Sequence, residues 1–430
     1  MTMEEKQIIP KGYKKTELGI IPEDWFAVKA GDIGKFQSGN GFPLRFQGTK
    51  VEKYPFYKVS DMNNDENEIF MSNSNNWISD KVRKKICANI VPKNSIVFAK
   101  IGAAIFLERK RIITINSCID NNMTSFIHNH SRCYYRFVYY VFISKKFGDL
   151  VNTTALPSLS ERDLAQLNFF LPPYPEQTAI ATVLSDIDEL IGSLDKLIDK
   201  KKLIKQGVMQ ELLTGKRRLP GFSGNWEAKK LREVVENTVG GDWGLEQDID
   251  NSISTYVLRG TDFGNALKGD FRTIPIRYLK INSFEKRKLE YNDILIELSG
   301  GSNEQPTGRI YIHLLREPKN VSFSNFVKKL FINKSLVEPE FFFYYWTLLY
   351  IQRKIMKYEK ITTGIRNFKY RDFLDNEFIL LPPLEEQTAI AAVLSDIDAE
   401  IEALEQKRDK YKQIKQGAMQ VLLTGKIRLI

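Results

Sequence analysis

Two stretches of the chain carry a stripe of apolar residues at heptad-like intervals. In the first, Ile180, Leu184, Ile187, Ile191, Leu194 and Ile198 follow 4-3 spacing. That spacing places them along one face of an α-helix with a coiled-coil seam. Val183, Leu190, Leu197, Ile204 and Val208 widen the stripe. Prolines 172, 173 and 175 mark its start and Gly215 its end. The second stretch keeps Ile390, Leu394, Ile397, Ile401, Leu404, Tyr411 and Ile414. About 40 residues at 1.5 Å rise predict a rod of roughly 60 Å in each case.

Charge along the two helices adds a direction. Asp186, Asp188 and Glu189 come early in the first, and Lys200, Lys201, Lys202 and Lys205 late. In the second, Asp396, Asp398 and Glu400 precede Lys407, Arg408, Lys412 and Lys415. This polarity suits the helix dipole. Antiparallel packing sets acid against base at both ends, whereas parallel packing sets like against like. The expectation is an antiparallel pair that holds two domains apart. The plainer alternative is a solvated helical hairpin with no spacing role. Candidate interhelical and partner-binding positions are Ile180, Leu184, Ile187, Ile191, Leu194, Ile390, Leu394, Ile397, Ile401 and Leu404.

The rest of the chain alternates short β-branched and aromatic runs with turns. Residues 55–59, 95–99 and 111–115 read as strands, as do 254–258, 294–297 and 309–312. Aromatic helical segments follow at 134–143 and 341–350, read as core helices. Each set fits an α+β domain of about 140 residues.

The two halves are copies. Residues 171–219 and 381–429 are identical at 33 of 49 positions, at a constant offset of 210. Chance is excluded. Before each copy the match is fainter but in the same order: Trp25, Gly39, Phe42 and Asp61 pair with Trp226, Gly240, Trp243 and Asp262. Thr153 and Thr154 pair with Thr362 and Thr363, and Asp163 with Asp372. The fold class expected is α+β: two tandem α/β recognition domains separated by two long antiparallel coiled-coil helices, with a pseudo-twofold internal duplication. The boundaries are an N-terminal arm at 1–24, a domain at 25–170, a helical region at 171–219, a second domain at 220–380 and a second helical region at 381–430. Near-identical helices imply the same kind of partner, and diverged domains imply that each reads something different.

Composition and charge narrow the class. The length of 430 residues suggests about three folded units. The longest apolar run, 341–351, is shorter than the ~20 residues a bilayer span needs, so no membrane partner is expected. Residues 1–10 hold two Glu and no apolar core of signal-peptide length. Three cysteines without CxxC spacing fit a reducing cytoplasm. The net charge is +10. Residues 25–165 carry 20 Lys/Arg against 12 Asp/Glu, and residues 226–380 carry 24 against 21, so the excess lies on the two domains. A basic surface points to a polyanion, with nucleic acid the first candidate.

Matched loops supply the candidate contacts to a nucleic acid. Ser38 and Asn40 lie opposite residues 239–242, and Lys58 with Ser60 opposite Arg259 with Thr261. Lys100 lies opposite a loop holding Ser302, Asn303, Gln305 and Arg309. Residues 153–160 lie opposite a segment with Arg366 and Lys369. Such side chains reach base edges and phosphates. A solvated surface role is the plainer reading of any one of them, and it is the recurrence that makes them candidates.

Catalytic motifs fail when tested. Residues 171–174, Leu-Pro-Pro-Tyr, resemble the [DN]-P-P-[YF] motif of amino-methyltransferases, but leucine cannot accept a hydrogen bond from an exocyclic amine. The sequence Gly215-Lys216-Arg217 lacks the remaining P-loop residues. His128, His130 and His313 are the only histidines and are too scattered for a metal site or triad. No catalytic residue and no metal ligand is assigned.

The duplicated LPPL-EEQTAIAAVLSDID and IKQGAMQVLLTGK segments resemble the conserved regions of the specificity subunit of type I restriction–modification enzymes. The openings LGIIPEDW (18–25) and LPGFSGNW (219–226) are similar to its domain openings. The resemblance implies two target-recognition domains reading a split, asymmetric DNA sequence. It also implies helices that dock two modification subunits, which methylate adenine N6 with S-adenosylmethionine, and possible restriction subunits that use ATP and Mg²⁺. No cofactor is then expected on this chain, which would be a non-catalytic subunit. The rival readings are a self-sufficient DNA methyltransferase and a non-DNA helical scaffold.

Overall fold

The computed structural model describes residues 9–151, 156–362 and 364–429, without the Thr362 side chain. The first eight residues of the N-terminal arm, Thr153, Thr154 and Thr363 lie outside the described residues. The chain divides into two compact units rather than three. One spans Met1–Leu194 with Lys407–Ile430, the other Asp195–Gln406. Each unit therefore combines one domain with half of each long helix.

In the first unit, antiparallel strands Gly34–Ser38, Met123–His128, Ile96–Ala99 and Lys110–Ile113 lie side by side, and Phe70–Met71 adds a parallel edge. The second unit repeats this order with Val235–Gly240, Val327–Ile332, Asp293–Glu297 and Ile310–His313. A second sheet in each unit holds one parallel pair, Tyr54–Tyr57 with Cys118–Ile119 and Ser252–Leu258 with Val321–Phe323. Strands Phe26–Lys29 and Asn168–Leu171 join the start and end of one domain, as Glu227–Lys230 and Phe378–Leu381 do in the other. The predicted strands thus stand within a few residues of the observed ones.

The aromatic helices Tyr135–Ser144 and Pro339–Ile351 lie in the two cores, as their apolar runs require. Burying such aromatic side chains is a large part of each core's hydrophobic stabilisation. The faint glycine pairing needs one correction. A Cβ on Gly39 would sit 2.0 Å from the Asp120 carbonyl oxygen, and one on Gly241 2.0 Å from that of Ser324. Gly39 therefore corresponds to Gly241 rather than Gly240, one residue beyond the offset the sequence favours. Backbone this close to a neighbouring strand admits no side chain.

The long helices run Tyr174–Leu212 and Leu384–Leu422, and Gly215 and Gly425 take φ of +70° and +71° in the turns after them. Within the first unit, Lys415 Nζ meets Asp188 Oδ1 at 2.5 Å. Within the second, Lys205 Nζ meets Asp398 Oδ1 at 2.6 Å. Early acid faces late base in both, so the helix segments in each unit run antiparallel. The seam is narrower than the stripe: Val183, Leu197 and Ile204 remain exposed. A pair of helices covers only its central strip.

Candidate nucleic-acid interface and helix clasps

Each domain grips its long helices through residues that are identical in the two copies. Gln177 donates from Nε2 to the Arg132 and Pro172 carbonyls, both at 2.9 Å, and accepts from the Tyr134 amide at 2.8 Å. Gln387 does the same with the Leu336 and Pro382 carbonyls and the Glu338 amide. Both side chains are buried. Each fixes the start of an aromatic helix against the start of a long one.

A second contact is built on Glu176 and Glu386. Arg428 donates to Glu176 from Nε at 2.7 Å and from Nη2 at 2.8 Å, and Trp25 Nε1 adds a bond of 2.9 Å. Arg218 donates to Glu386 from Nε at 2.5 Å and Nη2 at 2.6 Å. Two parallel bonds to one carboxylate make a strong, oriented pair. A third contact joins Tyr140 to Asp188 at 2.8 Å and Tyr344 to Asp398 at 3.0 Å. Burial, helped by those carboxylates, pushes both tyrosine hydroxyls well above their ordinary pKa.

Of the candidate interhelical residues, Ile180 and Leu184 belong to the first domain's core together with Leu422 and Leu423. Ile390 and Leu394 share the second core with Met209 and Leu212. Leu194 and Ile401 are buried, while Ile187, Ile191, Ile397 and Leu404 are half-buried. Sequence reasoning missed Gln177, Glu176 and Arg428 and their counterparts. Their identity across the two copies was the available signal.

The candidate DNA residues of the first unit gather at one end of its sheets. Lys100 Nζ donates to Ser38 Oγ at 2.5 Å, and Ser38 also bonds Glu161. Asn40 Oδ1 accepts from the Asn89 amide at 2.8 Å. Lys58 reaches Gln47 Oε1 at 3.2 Å, and its own amide bonds Asp61 Oδ2 at 2.7 Å. Ser60, next in this turn, is exposed. Asp120 beside them is held above the usual carboxylate range by burial, with its bonds to Asn122 and the Lys58 charge opposing.

In the second unit the candidates form two groups. Arg259 repeats the Lys58 turn, its amide on Asp262 Oδ2 at 2.8 Å, and folds its guanidinium back onto the same carboxylate at 2.9 Å. Thr261 beside it is exposed. Arg309 lies deeper, with Nε and Nη2 on the buried Glu297 at 2.8 and 2.6 Å. Its Nε and Nη2 donors are therefore already committed within the domain. The other group has no matching set of side chains among the described residues of the first unit, although the Ile101–Ser158 bridge there repeats its backbone pairing. Strand Ile365–Phe368 pairs with Ser299–Gly300 on one side and with Glu359–Thr362 on the other. Arg366 bonds Asn303 and, at 3.0 Å, Glu359. Glu359 also accepts from the Thr307 amide and hydroxyl. Ser302 and Gln305 close the adjoining turn through the Gln305 amide at 3.0 Å. Lys369 stands apart, 3.7 Å from Asp372.

The chemistry available at these edges is that of hydrogen-bond donors and positive charge. Among the described residues no His, Cys, Asp and Glu group is placed to hold a metal ion. No helix among them is long and apolar enough to cross a membrane. Burial pushes the Cys118 and Cys133 thiols up to about 12 and about 11, far from a reactive thiolate.

The type I restriction modification DNA specificity domain matches this sequence twice, over residues 22–202 and 223–415. The chain belongs to this family. It is 26% identical over 430 residues to the type I restriction enzyme MjaVIII specificity subunit of Methanocaldococcus jannaschii, covering 95% of this chain and 94% of that protein. It is 24% identical over 280 residues to the EcoBI specificity subunit of Escherichia coli, covering 60% and 56%. The crystal structure of the S subunit from M. genitalium is similar in fold, with a TM-score of 0.56, 16% identity, and coverage of 93% and 96%. As a member of the family the chain is a type I specificity subunit with two recognition domains in tandem, a non-catalytic component.

Proposed function

We propose that the chain reads a bipartite, asymmetric target in double-stranded DNA, one half-site per domain. The observation that carries the proposal is the contrast between copied clasps and uncopied edges. The same Gln, Glu–Arg and Tyr–Asp–Lys contacts recur in both units, whereas the Arg366–Asn303–Glu359 group has no side-chain match among the described residues of the first. In this reading Ser38, Asn40, Lys58, Ser60 and Lys100 face one half-site. Arg259, Thr261, Ser302, Asn303, Gln305, Arg366 and Lys369 face the other. Arg309 positions the turn above it through Glu297, since a Cβ on Gly260 would meet Glu297 Oε1 at 2.3 Å.

The long helices set the gap between half-sites and dock two modification subunits, which carry S-adenosylmethionine and methylate adenine. Where restriction subunits join, ATP and Mg²⁺ belong to them. A duplex DNA target places the assembly in the cytoplasm. Removing one heptad from each long helix shortens it by ~10 Å, or roughly 3 base pairs at 3.4 Å each. The gap preferred in methylation assays with the modification subunit should shrink accordingly. An unchanged gap sinks the spacing role, and methyl transfer by the purified chain alone sinks the division of labour.

A further inference from the structure

The first unit holds a cleft of about 700 Å³ that recognition of DNA by the domain edges does not use. It lies between the end of the helix Tyr135–Ser144, the strand Asn168–Leu171 and residues 412–426 of the second long helix and the turn after it. Its apolar side chains include Ile143, Phe170, Met419 and Leu423. Lys145, Lys146, Lys412 and Lys426 also line it, and no carboxylate does. Lys415 is neutralised by Asp188. None of the other four ammonium groups forms an ion pair among the described residues.

The corresponding wall in the second unit shows that this is not inherited from the repeat. Lys202, Lys205, Gln206 and Met209 occupy the positions of Lys412, Lys415, Gln416 and Met419. There Lys202 pairs with Glu405 at 3.0 Å and Lys205 with Asp398 at 2.6 Å. Glu405 also takes Lys268 at 2.6 Å, and the cleft of about 880 Å³ on that side, lined by Glu340, Tyr344, Ser395, Asp398 and Glu402, matches the first unit's acidic cleft at Tyr140, Ser185 and Asp188 rather than the lysine-lined one. Lys205 and Lys415 each meet a carboxylate, so the duplicated pair that differs is Lys202, which has Glu405, and Lys412, which has none among the described residues.

Four like charges around an apolar floor are unfavourable unless something anionic covers them. A nucleic-acid backbone would meet the ammonium groups but leave the half-buried Ile143 and Phe170 wet. A segment bearing both carboxylates and aliphatic side chains meets both demands. We propose that this cleft is a docking site for an acidic amphipathic segment of a partner protein, and that the second unit's cleft is not. The proposal deepens the reading of the chain as an assembling subunit by assigning a chemistry to one attachment point. Attachment at the first unit is then salt-sensitive in a way that attachment at the second is not.

The test uses the full chain and a labelled synthetic peptide of about 16 residues, with Leu and Glu spaced for two faces of a helix. Binding is read by fluorescence anisotropy, with a Leu/Lys peptide of the same pattern and a short DNA duplex as competitors. The Leu/Glu peptide should bind, and the triple variant Lys145→Glu, Lys412→Glu, Lys426→Glu should weaken it roughly tenfold or more. Lys202→Glu should leave it unchanged. Absence of binding, or binding indifferent to the triple variant, overturns the proposal. Displacement by duplex with the same dependence on those lysines also overturns it, by making the cleft a nucleic-acid site. Circular dichroism confirms that the triple variant folds. Its target selection on DNA separates failure of this inference, with selection intact, from failure of the DNA-reading proposal.

Discussion

Glu176 receives the Arg428 fork, the Trp25 indole and the Leu429 amide, whereas Glu386 receives the Arg218 fork beside a Trp226 indole that has no partner. The plan is the same and the second version is leaner. At the candidate DNA edges the shared plan is mostly backbone, the close approach at Gly39 and Gly241 and the turn that sets the amide of Lys58 or Arg259 on Asp61 or Asp262, while the side chains differ. Contacts that hold the helices were kept while contacts facing outward were replaced. That division is expected where one face meets a constant partner and another meets a variable target.

The comparison is broken most sharply at the clasps. Arg218→Ala strands the fully buried Glu386 and should lower stability more than any other single change at the clasps. Arg428→Ala should cost less, because Glu176 keeps Trp25 and the Leu429 amide. Urea unfolding of the two variants checks the order, and equal or negligible losses would remove the distinction. The next effect is on pH. Burial holds His128 at about 4, well below its ordinary value, so the unfolded chain binds a proton there first. Stability of the first unit should fall as pH drops from about 6.5 towards 4, by up to ~3 kcal/mol, and level off below. His128→Gln should flatten that profile, and a profile that keeps its slope assigns the titration elsewhere. Burial lowers His313 in the second unit too, so the two profiles share a sign.

Gln177→Ala and Gln387→Ala leave a buried amide and carbonyls unpaired, which costs ~1–3 kcal/mol each. The two losses should agree, since the geometries do. The reading edges should part company instead. Arg366→Ala should weaken binding at one half-site by ~1–3 kcal/mol and leave the other untouched. Lys100→Ala should weaken all sequences alike and lower the salt slope by about 1. A uniform loss for Arg366→Ala would make it a backbone contact.

Much of this architecture is legible in the chain. Heptad spacing locates both long helices, the acid-to-base polarity predicts the Asp188–Lys415 and Asp398–Lys205 pairs, and β-branched runs locate the central strands. Residues whose role depends on distant partners are not legible. Glu297 looks like any strand residue until Arg309 and Gly260 meet around it, and Glu359 reaches Thr307 across 52 residues of chain while also holding Arg366. The exposed flank of Val183, Leu197 and Ile204 shows the opposite error, since apolar periodicity marks a face without saying how much of it is covered. Gly39 and Gly241 show that a faint alignment drifts by one residue where only backbone proximity fixes the match.

Selection from a random duplex library by the chain assembled with its modification subunit tests the central claim most directly. Two unlike conserved blocks separated by an unconserved gap of constant length are the expected outcome. A single contiguous block, or two copies of one block, would contradict it.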